Sequence, residues 1–109
     1  MSTSRRKICA DMTEVRAEID AIDRELVALL ADRLHFIAEA ARIKARRDLV
    51  RDDDRVEDVL AKVRASAERH GIDPALVAAV FRELVERSIA QEFTLFDNLH
   101  DGKPATGSH

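Results

Sequence analysis

No glycine or proline occurs between residues 13 and 47, and apolar side chains recur through this run at steps of three and four residues. Such spacing is typical of a helix packed against other helices along its whole length. The positions of this stripe are Val15, Ile19, Ile22, Leu26, Leu29, Arg33, Phe36 or Ile37, Ala40 and Lys44. A helix of about thirty residues is on the order of 45–50 Å long. Because a helix of that length overhangs a 109-residue globule, the sequence predicts that it packs against a partner.

The residues available for a core also favour helices. The chain has no Trp or Tyr and only four Phe, so its core must be built from Leu, Ile, Val and Ala. Three Gly and two Pro leave few places to turn, which indicates a few long helices with short connections. We expect one all-α domain of three helices, and oligomerisation would extend its modest core.

Capping residues predict where the first two helices begin and where the second one ends. Asp11 or Thr13 can cap the first helix. The acidic run at 52–54 supplies N-caps and favourable dipole charge for a second helix, which ends near Gly71. The apolar residues of this second helix are Val56, Val59, Leu60 and Val63.

The clearest boundary in the sequence precedes the third helix. Asp73 is placed as its N-cap and Pro74 as its first helical residue. The predicted helical domain spans 11–100, preceded by a flexible arm at 1–10 and followed by a polar, turn-rich and disordered tail at 101–109.

Charge and motif content argue against several function classes. Eighteen Lys and Arg against 21 Asp and Glu give a net charge of −3, without the basic excess of a nucleic-acid-binding domain. No apolar run follows the basic N-terminus, so we expect a cytoplasmic protein with neither signal peptide nor membrane span. The histidines lack metal-ligand spacing and no glycine-rich phosphate loop occurs, so we expect no metal and no cofactor. The charged run at 46–54 is interpreted as a solvated loop.

Four polar residues occupy apolar positions of the helical stripes. Arg33 and Lys44 are eleven residues apart, which brings them to nearly the same face of the first helix, roughly 16 Å apart along its axis. Ser88 and Glu92 are an i, i+4 pair on the third helix. Together they would form a polar pocket for a small anion. In the structural alternative, the two cations extend to solvent or pair with Glu39 and Glu92, and Ser88 fills a tight helix crossing. Because buried charge is costly without compensation, the four together favour a ligand site.

An ordered set of short motifs extends this interpretation. It consists of V-R-x-x-I-D-x-I-D at 15–23, A-D-R at 31–33, I-K at 43–44 and V-R-D-D-D-R at 50–55. In this order and spacing, from about residue 13 to 96, the chain resembles the helical, AroQ-type (type II) chorismate mutases. The resemblance implies three helices per chain, intertwined as a homodimer with two equivalent active sites. That arrangement agrees with the overhanging first helix.

The resemblance implies that two arginines bind the carboxylates of the substrate. Arg16 matches the arginine that reaches into the active site of the partner subunit, and Arg33 matches the one that binds the other carboxylate. Arg16 lies seventeen residues before Arg33, roughly 25 Å along a straight helix. This is too far for the two to share a small-ligand site within one chain, which independently supports the role across the dimer.

Five further positions match substrate contacts of the family. Lys44 matches the lysine that contacts a carboxylate and the ether oxygen. Asp52 and Arg55 match positions that hold the hydroxyl side of the substrate and close the site. Ser88 matches a small polar contact to a carboxylate, and Glu92 falls where many members have Gln, the second donor to the ether oxygen. The resemblance thus predicts Lys44, Glu92 and the arginine at 33 as the catalytic residues.

One departure from the mutase pattern keeps an alternative open. Val56 stands where the mutases often have a Glu that contacts the substrate hydroxyl. The related isochorismate-pyruvate lyases, which form salicylate, resemble this chain at Val56 and in the spacing from Lys44 to Arg55. We expect Val56→Glu to change the discrimination between chorismate and isochorismate more than it changes folding.

Other positions favour the mutase interpretation. Asp52 and Ser88 are more typical of mutases than of lyases, so the expected reaction is chorismate to prephenate in aromatic amino-acid biosynthesis. An alternative of another class is a non-catalytic helical dimerisation module, in which Arg33 and Lys44 set the register of the helices.

Overall fold

The computed structural model describes residues 6–100 and consists there of three α-helices with short connections. Helix α1 covers Met12–Ile43, α2 covers Asp53–Arg69 and α3 covers Pro74–His100. A 3₁₀ turn at Arg47–Leu49 lies between α1 and α2. No strand occurs in the described part, so the prediction of an all-α, three-helix protomer is confirmed.

Not every predicted boundary falls within this part of the chain. The predicted tail at 101–109 and the first five residues of the predicted arm lie outside the described residues. The division into arm, domain and tail therefore stays a prediction. Within residues 6–100, no helix has the length and apolar character needed to cross a membrane.

Helix α1 begins at a capping aspartate. The backbone N–H of Glu14 donates to Oδ1 of Asp11 at 2.9 Å, which selects the first of the two candidate caps. Oε1 of Glu14 accepts the N–H of Ala10 at 2.8 Å, and Nζ of Lys7 lies 2.8 Å from its Oε2. The Ala10 N–H and the Lys7 ammonium hold the pKa of Glu14 below its usual value. The start of α1 is thus fixed by hydrogen bonds on both sides of the cap.

The chain divides into two units between Arg33 and Leu34, inside α1. The first unit contains the N-terminal part of α1, whose apolar face is largely open to solvent. Its exposed large apolar residues include Ile19, Leu26, Val27, Leu29 and Leu30. Monomeric proteins rarely leave such a continuous apolar surface uncovered, and such surfaces are typical of interaction sites.

In the second unit, α2 packs against α3 through an apolar cluster. Val56 and Leu60 of α2 are buried against Val85 of α3, and Leu60 is fully buried. These α2 positions belong to the apolar stripe expected from the sequence. Ile89 packs against this cluster and also against the next one along α3.

A second cluster joins the last turn of α1 to the C-terminal half of α3. Ala41, Val50 and Phe96 are buried together in it. His100 stacks on Phe96 with ring centres 3.9 Å apart, and its Nε2 lies 3.2 Å from the carbonyl oxygen of Ala41. The buried Val50 side chain therefore packs the connection between α1 and α2 against α3.

The turn between α2 and α3 follows the residues that predict it. Gly71 has φ +73°, and its N–H donates to the carbonyl of Glu68 at 3.1 Å, while the next N–H donates to that of Ala67 at 3.0 Å. This pair of bonds is a Schellman motif, which ends α2. Asp73 accepts the N–H two residues later at 2.9 Å, directly before the helix that Pro74 begins. Both predicted boundaries are confirmed.

Candidate active site

An ion pair connects the end of α1 to the C-terminal half of α3. Nζ of Lys44, the residue after α1, lies 2.7 Å from Oε2 of Glu92 and donates to the carbonyl of Val50 at 3.3 Å. Glu92 is 4% exposed, whereas the Lys44 side chain is 28% exposed. The carboxylate of this buried pair is thus enclosed, and the ammonium reaches it from a partly open side.

The buried pair compensates a charge that would otherwise be costly. A carboxylate inside a protein is stable only with a cation or hydrogen-bond donors close to it. An ammonium has three N–H donors, and the contacts with Glu92 and Val50 use two of them. Lys44 therefore retains the capacity to donate a third hydrogen bond to an anionic ligand. The contact is equally part of the structural alternative, in which Lys44 pairs with Glu92, so it favours neither interpretation by itself.

Ser88 lies one helical turn before Glu92 and is 5% exposed. Ser88 and Glu92 are the buried polar side chains among the described residues, and their i, i+4 spacing places them on one face of α3. The Ser88 hydroxyl donates to the carbonyl of Leu84 at 2.7 Å. A hydrogen bond from this hydroxyl to a ligand carboxylate would require it to rotate away from Leu84.

Asp52 and Arg55 both lie at the beginning of α2 and are exposed. Oδ1 of Asp52 accepts the backbone N–H of Arg55 at 3.1 Å, which makes Asp52 the N-cap. Nη1 of Arg55 lies 2.6 Å from Oδ2 of Asp58, and Lys62 contacts the same oxygen at 3.0 Å. The Lys62 ammonium and the Arg55 guanidinium hold the pKa of Asp58 below its usual value. The Arg55 side chain is thus engaged along α2 with Asp58.

Two arginines of the α1–α2 connection bind α3, which the sequence interpretation of a solvated loop missed. Nε of Arg47 lies 2.9 Å from Oδ1 of Asp97, and Nη2 of Arg47 lies 3.3 Å from Oδ2. The guanidinium also lies 4.5 Å from the centre of the Phe93 ring, a cation–π contact. Nη2 of Arg51 lies 2.6 and 2.7 Å from the two carboxylate oxygens of Glu86.

No local signal could have identified these partners. Arg47 and its aspartate are 50 residues apart, and Arg51 and its glutamate are 35 apart. Short-range spacing rules apply to neighbours within one helix, so they do not connect a loop to a distant helix. The carbonyl of Val50 was missed for a related reason, because every residue has a carbonyl and only the fold selects one.

Residues 15–93 match a known family, described as chorismate mutase type II. The chain belongs to this family. The resemblance inferred from the sequence motifs is thereby confirmed.

Relatives of the chain carry more than one activity in their names. The T-protein of Enterobacter agglomerans is 36% identical over 84 residues, which are 76% of this chain and 22% of that protein. The isochorismate pyruvate lyase of Pseudomonas aeruginosa is 29% identical over 84 residues, 77% of this chain and 83% of the lyase. The chorismate mutase of Methanocaldococcus jannaschii is 26% identical over 80 residues, 72% and 81% of the two chains. The chain therefore spans about a fifth of the T-protein but most of the lyase and of the archaeal mutase.

Val56, the departure from the type II mutase pattern, lies inside the α2–α3 cluster. It is 6% exposed and packs with Leu60 and Val85. A glutamate there would bring a carboxylate into an apolar environment. The structure therefore argues against the expectation that Val56→Glu would change substrate discrimination more than folding.

The two arginines that match carboxylate-binding positions of the family lie on α1, in the first unit. Arg16 is exposed and Arg33 is half-buried. Their roles, like those of the five matching residues of the second unit, stay predictions. Of the seven, Lys44 and Glu92 form the buried pair, whereas Asp52 caps α2 and Arg55 contacts Asp58.

Proposed function

We propose that this chain is a chorismate mutase, an isomerase that converts chorismate to prephenate in aromatic amino-acid biosynthesis. The observation that carries the proposal is the match of residues 15–93 to the type II chorismate mutase family. The buried Lys44–Glu92 pair occupies the positions that the resemblance assigns to the donors for the ether oxygen. The name of one relative supports it, because the Methanocaldococcus jannaschii protein is a chorismate mutase.

The reaction is a rearrangement within one molecule. An ether C–O bond of chorismate breaks while a C–C bond forms, without a covalent intermediate or a proton transfer, so no cofactor is required. Negative charge grows on the ether oxygen as the bond breaks. A catalyst must therefore hold the substrate in its compact conformer and stabilise that charge.

In this proposal, the buried pair provides the donors for the ether oxygen. Lys44 donates to the ether oxygen with the N–H that its contacts with Glu92 and Val50 do not use. Glu92 can donate only as a protonated carboxylic acid, since an ionised carboxylate would repel the developing negative charge. Removing one donor of this kind typically lowers the rate on the order of a hundredfold or more.

The remaining matching residues bind and orient the substrate. Arg33 and the partner's Arg16 each bind one carboxylate, which guanidinium groups hold in bidentate geometry. Asp52 and Arg55 hold the hydroxyl side, and this requires Arg55 to exchange its contact with Asp58 for the substrate.

We also propose that the protein works as an intertwined homodimer. The support is the exposed apolar face of α1 in the single chain, which includes Leu26 and Leu29. A partner's α1 would remove such a face from water, and burial of apolar surface drives association. The same association brings Arg16 to the partner's site.

The test is to titrate the purified protein with chorismate and, separately, with isochorismate. Substrate loss and the products formed are followed by chromatography. Conversion of chorismate to prephenate is the expected result, and Lys44→Ala is expected to lower its rate on the order of a hundredfold or more. Failure of the folded protein to consume chorismate would contradict the proposal.

Isochorismate pyruvate lyase activity is the second candidate, because Val56 departs from the mutase pattern and the Pseudomonas lyase matches over 83% of its own length. The same titration separates the two, since the lyase releases pyruvate and salicylate from isochorismate. A folded dimer that consumes neither substrate would favour the third candidate, a helical dimerisation module. In that case Arg33 and Lys44 variants would change assembly.

A further inference from the structure

The connection between α1 and α2 is fastened to α3 at two points, one on each side of Val50. Arg47 binds Asp97 with two nitrogens, and Arg51 binds both carboxylate oxygens of Glu86. The two carboxylates are eleven residues apart on α3, so they share one face at roughly 16 Å along the axis. The segment is thus held across about three turns of α3.

Val50, between the two fastenings, links this segment to the buried pair. It is 3% exposed and packs with Ala41 and Phe96, while its carbonyl accepts the hydrogen bond from Nζ of Lys44. The Val50 carbonyl is thus one of the two groups that hold the Lys44 ammonium in place, together with the Glu92 carboxylate.

The two contacts constrain the position of the α1–α2 connection more than they add to the free energy of unfolding. Their side chains are 39–61% exposed, and exposed ion pairs contribute little to the free energy of unfolding. Each nevertheless joins residues far apart in sequence. Arg47 binds Asp97 through two nitrogens, which restricts orientation as well as distance, whereas Arg51 shares one nitrogen, Nη2, between the two oxygens of Glu86. Arg51 also lies 3.6 Å from Asp53 in the first turn of α2, so this fastening reaches the helix that Asp52 caps.

We propose that Arg47 and Arg51, bound to Asp97 and Glu86, form a clamp that positions Lys44 through the Val50 carbonyl. The two arginines are positioning residues and do not touch the substrate. The inference rests on the proposed function, since it assigns the clamp a role in that reaction. A donor displaced by about 1 Å can lower a rate by as much as a hundredfold, so a weak surface contact can have a large kinetic effect.

The kinetic test uses Glu86→Gln and Asp97→Asn, which keep the side-chain shape and remove the charge. We expect each to lower kcat about tenfold with a much smaller change in KM, because positioning of a donor acts mainly on the reacting state. The matched control is Glu83→Gln, which breaks the 2.6 Å contact of Glu83 with Arg87 on the same helix. The control is expected to leave kcat unchanged, and circular dichroism and thermal unfolding confirm folding.

A second measurement does not depend on activity. The N–H of Leu49 donates to the carbonyl of Arg46 and that of Val50 to Arg47, both at 3.1 Å, so exchange of these two amides with solvent reports opening of the segment. We expect exchange at Leu49 and Val50 to accelerate at least threefold, on the order of what loss of one exposed ion pair allows, in both clamp variants but not in Glu83→Gln.

The two measurements separate the possible failures. Unchanged exchange in both variants would overturn the clamp, whatever the activity. Faster exchange with unchanged kcat would overturn its positioning role. If the parent protein converts neither chorismate nor isochorismate, the proposed function fails and the positioning role with it, while the exchange rates still decide whether the clamp holds the segment.

Discussion

Lys44 and Glu92 are 48 residues apart in the chain, yet Nζ of one lies 2.7 Å from Oε2 of the other. The contact closes the end of α1 onto α3, next to the buried side chains of Val50 and Phe96. This one contact therefore affects the stability of the fold and, in the proposed reaction, the rate of catalysis. The two effects can be measured separately because they respond differently to paired substitutions.

Substitution of both members of the pair separates two effects on stability. One is the attraction between Lys44 and Glu92, and the other is the cost of leaving Glu92 as an isolated buried charge. Lys44→Met leaves the Glu92 carboxylate buried without its cation, and we expect the free energy of unfolding to fall by about 1–3 kcal/mol. Lys44→Met combined with Glu92→Met removes both charges and should restore most of that loss, with activity still absent. Urea unfolding measures both. The control is Lys62→Met, which breaks an exposed contact with Asp58 and should change stability by less than about 0.5 kcal/mol.

The contrary outcome is a double variant no more stable than Lys44→Met alone. That result would mean that the carboxylate of Glu92 carries no isolated-charge penalty in the folded protein.

A second prediction concerns the proton on Glu92. A carboxyl group donates to the ether oxygen only when protonated. If Glu92 is the donor and titrates in the assayed range, turnover of the parent should rise as pH falls, until other groups or the fold fail. Glu92→Gln has an amide donor at every pH and should flatten this dependence, keeping activity on the alkaline side. The measurement is kcat and kcat/KM from about pH 5 to about pH 9, with circular dichroism at each pH. Profiles of the same shape for the two proteins would remove Glu92 as the donor.

A third prediction tests whether Arg16 acts across the dimer. Arg16→Ala and Lys44→Ala chains should each be inactive alone. Under subunit exchange, a mixed dimer contains one site with both intact residues, so activity should return up to one working site per mixed dimer. Exchange is verified by mass spectrometry of isotopically labelled chains. Verified exchange without recovered activity would contradict the shared site.

A fourth prediction follows from the burial of Val56. Val56→Glu places a carboxyl group beside Leu60 and Val85, and we expect a loss of about 2–4 kcal/mol in the free energy of unfolding. A carboxyl group buried without a cation has its pKa raised, so the loss should be smaller at pH 5 than at pH 8. The control is Ala61→Glu, at an exposed position of the same helix.

The same variant measures selectivity. The ratio of kcat/KM for chorismate and isochorismate is compared with that of the parent, at a temperature where both are folded. An unchanged ratio would remove position 56 as a selectivity determinant, and an unchanged stability would contradict its placement in the core.

The helix boundaries were predictable because local chemistry decides them. Gly71 adopts a positive φ that other residues rarely take, and Asp73 with Pro74 fits the start of a helix whatever lies around it. The burial of Ser88 and Glu92 was expected for a similar reason, since helical periodicity assigns a face to each position.

Long-range side-chain partners were not predictable in the same way. Arg47 and Arg51 are two of several arginines in a charged run, and nothing near them indicates which carboxylates they bind. Likewise, the resemblance implies a substrate role for Arg55, yet its guanidinium contacts the carboxylate of Asp58, three residues further along α2. Partner choice between exposed charges depends on small energy differences, which a sequence pattern does not contain.

The hydrogen bond from Lys44 to the Val50 carbonyl closes a ring of side chain and backbone over six residues. Because the ring is closed, the number of residues in the connection determines which carbonyl reaches the Lys44 ammonium. An insertion or deletion among residues 45–49 would bring a different carbonyl to the ammonium or move Val50 out of its buried position. The number of residues between α1 and α2 is therefore constrained in this chain by the lysine as well as by the two helices that they connect.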